Sequence, residues 1–382
     1  MKKKILILNA QVDFWGASRS CLASAIALKD AGYDVMMMAT WRGPIAPIVE
    51  NSGVRFEVCG FHTWMLWPTK QRMQVVRRIK QILKLILNSI DDFRRMKKKL
   101  KQLNYKPDLI YSNTIMQPMG LMLSAYLKVP HIYHIREYGR ADFGMYPVLG
   151  DKITFFFAYK YTEKAFCISK GVQKEWSKCF REKAILLYNG VTVNQKEISL
   201  RSHIKGTLRI IVVGRISPEK GQRDVIEALC EIYKRKDVEN ITLDLYGEGV
   251  DLVELKCMTK ELGLDEKVNF CGFSHKIPYY QYDIAVMSSR SEGFGRTTIE
   301  YMLNGVPVVG YNGGATPEII LDGQTGRLYN SSEELAEILL DACKSYGKYQ
   351  IYAKNAFERA VVLFSEDTYK HNLVHLISKI SF

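Results

Sequence analysis

Two short segments of the sequence combine charged side chains with glycines in a pattern that suits binding of a phosphate-bearing ligand. In the first, S-E-G-F-G-R-T-T-I-E-Y-M at 291–302, Glu292 and Glu300 flank a Gly-x-Gly turn. Glycines let backbone N–H groups approach an anion, and the helix predicted to begin there adds partial positive charge. The carboxylate of Glu300 suits bidentate hydrogen bonds to vicinal hydroxyls, as on a ribose. A glycine turn with two solvated glutamates is the alternative.

The second segment, V-G-R-I-S-P-E-K-G at 213–221, also lies between a predicted strand and a predicted helix. Arg215 and Lys220 are two cations around a proline-containing turn, where they could neutralise a diphosphate. Either cation alone would be an ordinary surface charge. Taken with Glu292 and Glu300, they supply a phosphate clamp, a sugar contact and a ribose ligand from neighbouring strand ends.

Strands and helices alternate in both halves of the chain and would position these segments. Such alternation predicts doubly wound parallel sheets whose ligands bind at the carboxyl ends of strands. The predicted strands are Lys4–Asn9, Asp34–Ala39, Arg55–Cys59, Leu109–Tyr111, His131–His134, Ala165–Ile168, Arg209–Val213, Ile241–Tyr246, Val268–Phe270, Ile284–Met287 and Val306–Val309. The predicted helices include Ser20–Ala31, Arg223–Arg235, Val250–Leu262 and Thr297–Asn304.

The 382 residues correspond to two or three domains at about 150 residues each. The polar segment Val191–Gly206 is the expected seam. We therefore expect an N-terminal Rossmann-like domain over 1–195, a second over 196–365, and a C-terminal helix over 366–382 that crosses back to the first. Two such domains would face each other across a cleft that suits a small molecule.

Composition points to a globular protein rather than a disordered or membrane-spanning one. Hydrophobic residues make up 47% and charged residues 25%, and no apolar run approaches the length of a membrane span. The basic and apolar start, M-K-K-K-I-L-I-L, is better explained as a buried strand than as a signal peptide. Eight cysteines without a C-x-x-C pair or metal-ligand spacing indicate reduced thiols, no metal site and a cytoplasmic location.

The net charge of +14 is concentrated in one region. Between Lys70 and Lys106 there are thirteen lysines and arginines but only two aspartates. One local basic surface argues against general nucleic-acid binding. Apolar residues recur there every three or four positions, and Ser89 followed by Asp92 predicts a break into two helices near Asn88. The apolar stripe either packs on the N-terminal sheet or attaches the protein to an anionic membrane.

The ordered set of motifs resembles the large retaining glycosyltransferase family four, of GT-B fold. The motifs are the two glutamates, the G-R-x-x-x-x-K-G turn, Asn189-Gly190-Val191, Tyr246-Gly247-Glu248-Gly249, Asn312-Gly313-Gly314 with Pro317-Glu318, and Asp322-Gly323-Gln324-Thr325-Gly326. The resemblance spans nearly the whole chain and is strongest from Asn189 to Leu328. It implies a nucleoside-diphosphate sugar held mainly by the C-terminal domain, with UDP expected rather than GDP, and no other cofactor.

The resemblance also assigns roles on the donor side. Arg215 and Lys220 would bind the diphosphate as leaving group, Glu300 the ribose, and Glu292 the sugar hydroxyls. The backbone of Gly293, Phe294, Gly295, Arg296 and Thr297 would hold the sugar and phosphate, and Tyr246 to Gly249, with the strand near Gly272, would flank the base. Gly214 and Gly247 are also expected to belong to the donor-binding residues.

The N-terminal half matches this family less closely. Gly16-Ala17-Ser18-Arg19 follows the first strand, where relatives have a small-residue loop that touches donor or acceptor; an ordinary strand-to-helix loop is the alternative. Relatives place a histidine near the donor sugar after the strand that here ends near His134. Arg136 stands at that position, so Arg136 or Glu137 is expected to reach the cleft as a catalytic residue, and His134 either packs under the sheet or binds sugar.

The expected reaction is metal-independent transfer of a hexosyl group, with retention, to a hydroxyl of a glycan or lipid-linked acceptor in surface polysaccharide synthesis. No D-x-D motif stands in a metal-binding setting, and no carboxylate stands out as a nucleophile, which favours front-face attack assisted by the leaving phosphate. A nucleotide-sugar epimerase and a non-catalytic membrane- or glycan-binding module are the alternatives. Release of nucleoside diphosphate separates enzyme from module, and dependence on an acceptor separates transferase from epimerase.

Overall fold

The computed structural model of the chain describes residues 2–13, 16–66, 75–140, 144–193, 198, 206–235 and 240–382, and the side chains of 75–78 are not described. The chain divides into two compact units: unit 1 is Met1–Gly190 with Glu366–Phe382, and unit 2 is Val191–Ser365. Most of the predicted seam falls at positions 194–197 and 199–205, outside the described residues.

Unit 1 contains a seven-stranded parallel sheet with strand order β3-β2-β1-β5-β6-β8-β9, and a two-stranded antiparallel ribbon formed by β4 and β7. Its strands are β1 (Lys4–Asn9), β2 (Asp34–Ala39), β3 (Arg55–Val58), β4 (Met65–Leu66), β5 (Leu109–Asn113), β6 (His131–Ile135), β7 (Tyr146–Pro147), β8 (Lys164–Cys167) and β9 (Ala184–Leu186). Its helices are α1 (Gly16–Asp30), α2 (Ala46–Asn51), α3 (Val75–Gln102), α4 (Met119–Leu127), α5 (Asp151–Tyr161), α6 (Lys170–Phe180) and, from the C-terminus, α13 (Glu366–Ser378).

Side chains of successive residues in β1 point to opposite faces of this sheet, as the two-residue period of a strand requires. Ile5 and Ile7 pack with α1, α2 and α13, whereas Leu6 and Leu8 pack with α3 and α4. Both faces are therefore covered by helices, which explains why residues 5–8 of the strand are all apolar. The Tyr369 hydroxyl of α13 lies 2.5 Å from Ser24 Oγ of α1, so the C-terminal helix is part of unit 1.

Unit 2 contains a six-stranded parallel sheet of order β12-β11-β10-β13-β14-β15, with one large apolar core. Its strands are β10 (Leu208–Val213), β11 (Ile241–Tyr246), β12 (Val268–Gly272), β13 (Ile284–Met287), β14 (Val308–Tyr311) and β15 (Arg327–Tyr329). Its helices are α7 (Gln222–Tyr233), α8 (Leu252–Glu261), α9 (Arg296–Leu303), α10 (Thr316–Ile319), α11 (Ser332–Lys344) and α12 (Tyr346–Phe364). The two sheets confirm the expected pair of doubly wound α/β domains.

The predicted break of the basic region into two helices near Asn88 is wrong. Helix α3 runs without a break through Asn88, although residues 70–74 of the region lie outside the described part. Asp92 does not cap a new helix, because its buried carboxylate accepts hydrogen bonds from the His62 N–H at 2.8 Å and from Arg95 at 2.5 Å. In the described residues, no helix is both long and apolar enough to span a bilayer.

Candidate functional site

The strand order of unit 2 reverses between β10 and β13, which lie side by side although β11 and β12 intervene in the chain. Such a switch point is where open α/β sheets bind ligands, outside the carboxyl ends of their strands. Lys220 comes from the loop after β10 and Glu292 from the loop after β13. Their side chains meet in an ion pair, with Lys220 Nζ 2.5 Å from Glu292 Oε1 and both groups mostly shielded from solvent.

Backbone packing fixes the loop that carries Lys220. Gly221 has φ +65°, and a Cβ there would lie 2.2 Å from the carbonyl oxygen of Ser288, so only glycine fits. The Ser288 hydroxyl donates to the Lys220 carbonyl at 2.7 Å, and the Arg290 N–H donates to the Glu219 carbonyl at 3.0 Å. The loops after β10 and β13 are thereby held together, and with them the two charged side chains.

The glycines after β11 are explained by the same kind of close approach. Gly247 has φ +142°, and a Cβ there would lie 1.9 Å from the carbonyl oxygen of Gly214. A Cβ at Gly249 would lie 2.0 Å from the carbonyl oxygen of Ile216, and the Ile216 N–H donates to the Glu248 carbonyl at 2.9 Å. The loop after β11 is thus pressed against the loop after β10.

Arg215 occupies a different position from Lys220. Its side chain is 65% exposed and pairs with Glu219 of the same loop, with Arg215 Nη2 2.5 Å from Glu219 Oε1. Arg215 and Lys220 thus lie on one loop but have different partners, Glu219 and Glu292, and the two-cation clamp stays a prediction. An exposed arginine on a short loop can turn toward a bound diphosphate, because its long side chain is held by a single surface ion pair.

Helix α9 begins beside this pair. Gly295, at φ +78°, is its N-cap residue, and Arg296 and Thr297 form its first turn, where backbone N–H groups lack intrahelical acceptors. The buried ring of Phe294 packs against Phe364 with ring centroids 5.9 Å apart, so this side chain belongs to the core of unit 2. Gly293 is partly buried in the same loop.

Glu300 lies one turn further along α9, and its carboxylate is 3.5 Å from the Tyr279 hydroxyl. Burial, together with the nearby Glu300 carboxylate, raises the pKa of Tyr279, so the phenol keeps its proton and donates. Tyr279 belongs to the loop after β12 and was not expected from the sequence. Glu300 is only partly buried, so its carboxylate can still accept from a ligand.

The loop that carries the Asn312-Gly313-Gly314 motif contacts the backbone of Glu292. Gly314 has φ +57°, and a Cβ there would lie 2.6 Å from the Glu292 nitrogen. The Ala315 N–H donates to the Glu292 carbonyl at 2.9 Å. The loop after β14 thus holds the backbone of the residue that the sequence predicts to bind the sugar.

A cavity of about 360 Å³ opens at the carboxyl ends of β11 and β12. Its lining residues are Glu248, Gly249, Leu252, Lys256, Phe270 and Gly272. These positions include the segments expected to flank a nucleobase. The cavity therefore lies at the same sheet edge as Lys220, Glu292 and Glu300.

Arg136 is buried inside unit 1, where its guanidinium lies among polar side chains. It donates to Asn113 Oδ1 at 2.6 Å and to Asn189 Oδ1 at 2.5 Å, and it lies 3.4 Å from Ser24 Oγ and 3.2 Å from His134 Nδ1. The sequence predicts that Arg136 or Glu137 reaches the cleft, and the alternation of side chains along a strand does not show which polar groups will bind the guanidinium. A catalytic role for Arg136 stays a prediction.

Glu137 and His134 are also buried. The carboxylate of Glu137 accepts from the Ile115 N–H at 2.9 Å, and its catalytic role stays a prediction. His134 contacts the Tyr111 hydroxyl. Burial, followed by the charge of Arg136, lowers the pKa of His134 well below its usual value, so the imidazole is neutral. The geometry favours packing under the sheet over sugar binding.

Gly16 is exposed at the start of α1, and a Cβ there would meet nothing within 4 Å. Close approach therefore does not require glycine at this position. Asn113, which sequence reasoning missed, donates to Asn9 Oδ1 at 2.9 Å and to the Ala17 carbonyl at 3.3 Å while it accepts from Arg136. Asn113 ends β5 beside β1, so it links the buried arginine to the first turn of α1.

Within the described ranges, no group of three His, Cys, Asp or Glu side chains is arranged to hold a metal ion. No disulfide joins any two of the described cysteines, and burial raises the pKa of Cys21, Cys167 and Cys179 to about 12. These three thiols are therefore protonated at neutral pH.

Two protein-family models match the chain, one over each half of its sequence. The model for glycosyltransferase family 4 matches residues 15–195, and the model for glycosyl transferases group 1 matches residues 194–359. The structure is similar to that of HepE from Anabaena in complex with UDP, with a TM-score of 0.80, 23% identity, and coverage of 99% of this chain and 100% of that one.

Two curated relatives are similar over part of their length. An uncharacterised glycosyltransferase of Methanocaldococcus jannaschii is 26% identical over 251 residues, 61% of this chain and 65% of that protein. An alpha-monoglucosyldiacylglycerol synthase of Streptococcus pneumoniae is 30% identical over 154 residues, 39% of this chain and 34% of that protein. The alignments thus span less than two thirds of these relatives.

The two parallel sheets and the two matching family models define a glycosyltransferase of the GT-B class. The two family models together cover residues 15–359, and the chain belongs to the family 4 group of these enzymes.

Proposed function

We propose that the protein is a retaining glycosyltransferase that moves a sugar from a nucleoside diphosphate to a hydroxyl of a glycan or lipid-linked acceptor, in the synthesis of a surface polysaccharide. Unit 2 holds the donor and unit 1 serves the acceptor. The observation that carries the proposal is the meeting of Lys220 and Glu292 at the switch point of unit 2, beside the start of α9.

The diphosphate is bound by Lys220, Arg215 and the N–H groups of Arg296 and Thr297. An ammonium group has three N–H donors, so Lys220 can keep Glu292 as a partner and still donate to phosphate oxygens. Among these donors, Lys220 lies where negative charge grows on the leaving group, and the backbone contacts around Gly221 hold its loop in place. Preorganised charge of this kind lowers the barrier directly.

The nucleoside lies toward β11 and β12, with the base in the cavity beside Gly249 and Gly272 and the ribose on Glu300. We propose UDP rather than GDP as the carrier. Structures of HepE, whose fold this chain shares, contain UDP and UDP-glucose. Glu292 and the backbone of 293–295 bind the hydroxyls of the transferred sugar.

The acceptor hydroxyl attacks the anomeric carbon from the face that the diphosphate leaves. The bond from that carbon to the β-phosphate oxygen breaks, the new glycosidic bond forms, and the acceptor proton passes to the departing phosphate oxygen. Configuration is therefore retained without a covalent intermediate. NMR of the first product formed should show the donor's anomeric configuration; inversion, or a trapped glycosyl-enzyme adduct, would overturn this route.

We propose that the reaction needs no metal, because cationic side chains and helix amides supply the charge that Mg²⁺ would otherwise provide. Transfer should continue at an undiminished rate in EDTA. Recovery of the EDTA-treated enzyme only upon addition of Mg²⁺ or Mn²⁺ would contradict this part of the proposal.

We further propose that the enzyme works in the cytoplasm at the surface of an anionic membrane, to which the basic segment 70–106 attaches it. The described part of that segment carries Lys80, Lys84, Arg94 and Lys98 in exposed positions on α3. One relative, the alpha-monoglucosyldiacylglycerol synthase, is named for a lipid product. Sedimentation with phosphatidylglycerol vesicles should recover the protein, and neutral vesicles should not.

The assay for the function as a whole is a panel of nucleotide sugars offered with and without acceptor extract. Release of nucleoside diphosphate that rises with acceptor supports a transferase. If no donor yields nucleoside diphosphate, the proposed transferase activity is refuted. Conversion of one nucleotide sugar into another without release of nucleoside diphosphate would identify an epimerase.

A further inference from the structure

The first half of α3 presents a row of large apolar side chains to solvent. Ile79, Leu83, Ile86, Leu87 and Ile90 are between 41% and 67% exposed. At 3.6 residues per turn they fall within an arc of about 100°. Exposed apolar rows of this size mark interaction surfaces rather than ordinary surface residues. We name these five residues the α3 stripe.

The second half of the same helix is different. Met96 and Leu100 are buried against the sheet of unit 1, and the exposed positions there are basic, as at Arg94 and Lys98. The change from apolar to basic along one exposed side means that the α3 stripe is not the core-facing side of the helix.

A second apolar group lies on α5. Ile153, Phe156 and Phe157 are 51%, 60% and 41% exposed, and the rings of Phe156 and Phe157 meet edge to face with centroids 5.4 Å apart. Helix α4 packs against both α3 and α5, so the three helices form one layer on unit 1. The starts of α3 and α5 also follow the two paired strands of the β4–β7 ribbon.

Positive charge predominates around the α3 stripe and the apolar residues of α5. Lys80 and Lys84 flank the α3 stripe, and Lys152 and Lys160 flank the phenylalanines of α5, all in exposed positions. The acidic residues nearest in sequence are already paired: Asp91 with Arg95 at 3.1 Å, and Asp151 with Arg140 at 3.0 Å. A surface of exposed aliphatic and aromatic side chains bordered by lysines matches an anionic bilayer, with acyl chains inside and phosphates outside.

We propose that the α3 stripe and the three apolar residues of α5 insert together into the outer part of an anionic lipid leaflet, with α3 lying in the plane of the membrane. The inference rests on the proposed membrane attachment and deepens it, since attachment by charge alone needs no inserted side chain. Insertion gives unit 1 a fixed orientation on the surface, which suits an acceptor anchored in the same leaflet.

The test compares the full chain with two double variants in vesicle sedimentation. Leu83→Gln with Leu87→Gln removes half-exposed apolar groups from the α3 stripe without changing charge, and glutamine keeps the helix. Ile351→Gln with Val362→Gln is the matched control, because both residues are exposed on α12 in unit 2. Circular dichroism and donor hydrolysis without acceptor check that both variants fold and keep the donor site.

The expected result with phosphatidylglycerol vesicles is binding of the wild type that persists in part at 0.5 M NaCl. The stripe variant should lose at least about tenfold in partition and all of the salt-resistant part, whereas the control keeps both. Removing Lys80 and Lys84 should weaken binding about fivefold per residue at low salt.

Three results would overturn the inference. In the first, the stripe variant binds vesicles as well as the wild type does, and salt abolishes the binding of both. That result leaves attachment by charge intact but rules out insertion. No binding of the wild type to any vesicle removes both proposals. In the third, the wild type does not bind vesicles but forms a dimer, and the stripe substitutions convert that dimer to a monomer. The α3 stripe would then be the contact surface for a second copy of the chain.

Discussion

Lys220 Nζ and Glu292 Oε1 lie 2.5 Å apart, although 72 positions separate them in the chain and they belong to loops after two different strands. Each is held by backbone packing: Gly221 against Ser288 behind the lysine, and Gly314 against Glu292 itself. A preformed pair of opposite charges at a sheet switch point can bind an anion and a hydroxyl-rich group side by side.

Replacing Lys220 by alanine should leave a folded protein with turnover reduced by about 10²–10³, because a preorganised donor to the leaving phosphate is lost. The measurement is release of nucleoside diphosphate under saturating donor. Lys234→Ala is the control, since Lys234 forms an exposed pair with Glu231 at 2.7 Å. Near-normal turnover in Lys220→Ala would refute the phosphate-clamp assignment.

Replacing Glu292 by glutamine should separate binding of the nucleotide from binding of the sugar. Removal of the carboxylate leaves Lys220 without its counter-charge, so UDP should bind about three- to tenfold more tightly. Turnover should fall, because an amide is a weaker acceptor for sugar hydroxyls than a carboxylate. Calorimetric titration with UDP, compared with Glu337→Gln on the surface, provides the check. Weaker UDP binding in Glu292→Gln would contradict this division of roles.

Gly247→Ala should destabilise unit 2 by about 3 kcal/mol or more, since a Cβ at φ +142° would lie 1.9 Å from a backbone oxygen. Gly347→Ala is the matched control: that glycine is exposed in α12 and a Cβ there would meet nothing within 4 Å. Thermal unfolding of both variants decides. Equal melting temperatures would mean that the loop after β11 is not pressed against Gly214.

Stability should fall as the solution is acidified below pH 6.5. Burial lowers the pKa of His131 to about 3, so between pH 6.5 and 3 the unfolded chain binds a proton that the folded one does not. This histidine alone costs about 1.4 kcal/mol per pH unit in that window. Urea unfolding of His131→Gln should show a shallower pH dependence than wild type, whereas exposed His371→Gln should match wild type. An unchanged slope for His131→Gln would contradict the buried neutral imidazole.

Much of the fold follows from residues that interact mainly with their neighbours in the sequence. Residues 5–8 form a continuous apolar run and residues 241–246 alternate between apolar and other side chains, and the observed β1 and β11 have the predicted bounds 4–9 and 241–246. The nearness of Lys220 and Glu292 could be foreseen because parallel strands end at one edge, and the loops after them meet.

The rest depended on contacts between distant parts of the chain. Asp92 looked like a helix cap in sequence, but a distant loop residue, His62, supplies its partner, so α3 continues. No sequence pattern reveals that Asn113 and Asn189, 23 and 53 positions away from Arg136, accept hydrogen bonds from its guanidinium. The half-exposed state of the α3 stripe was likewise hidden, since a period of three to four residues does not say which side meets the core.

The central claim is that unit 2 binds an activated sugar through Lys220, Glu292 and Glu300, and calorimetric titration with UDP-sugars tests it most directly. At least one donor should bind the wild type, and Lys220→Ala and Glu300→Gln should each weaken that binding by tenfold or more while circular dichroism stays unchanged. If every donor that binds the wild type binds both variants equally well, the nucleotide sugar is held elsewhere and the assignment of this site is wrong.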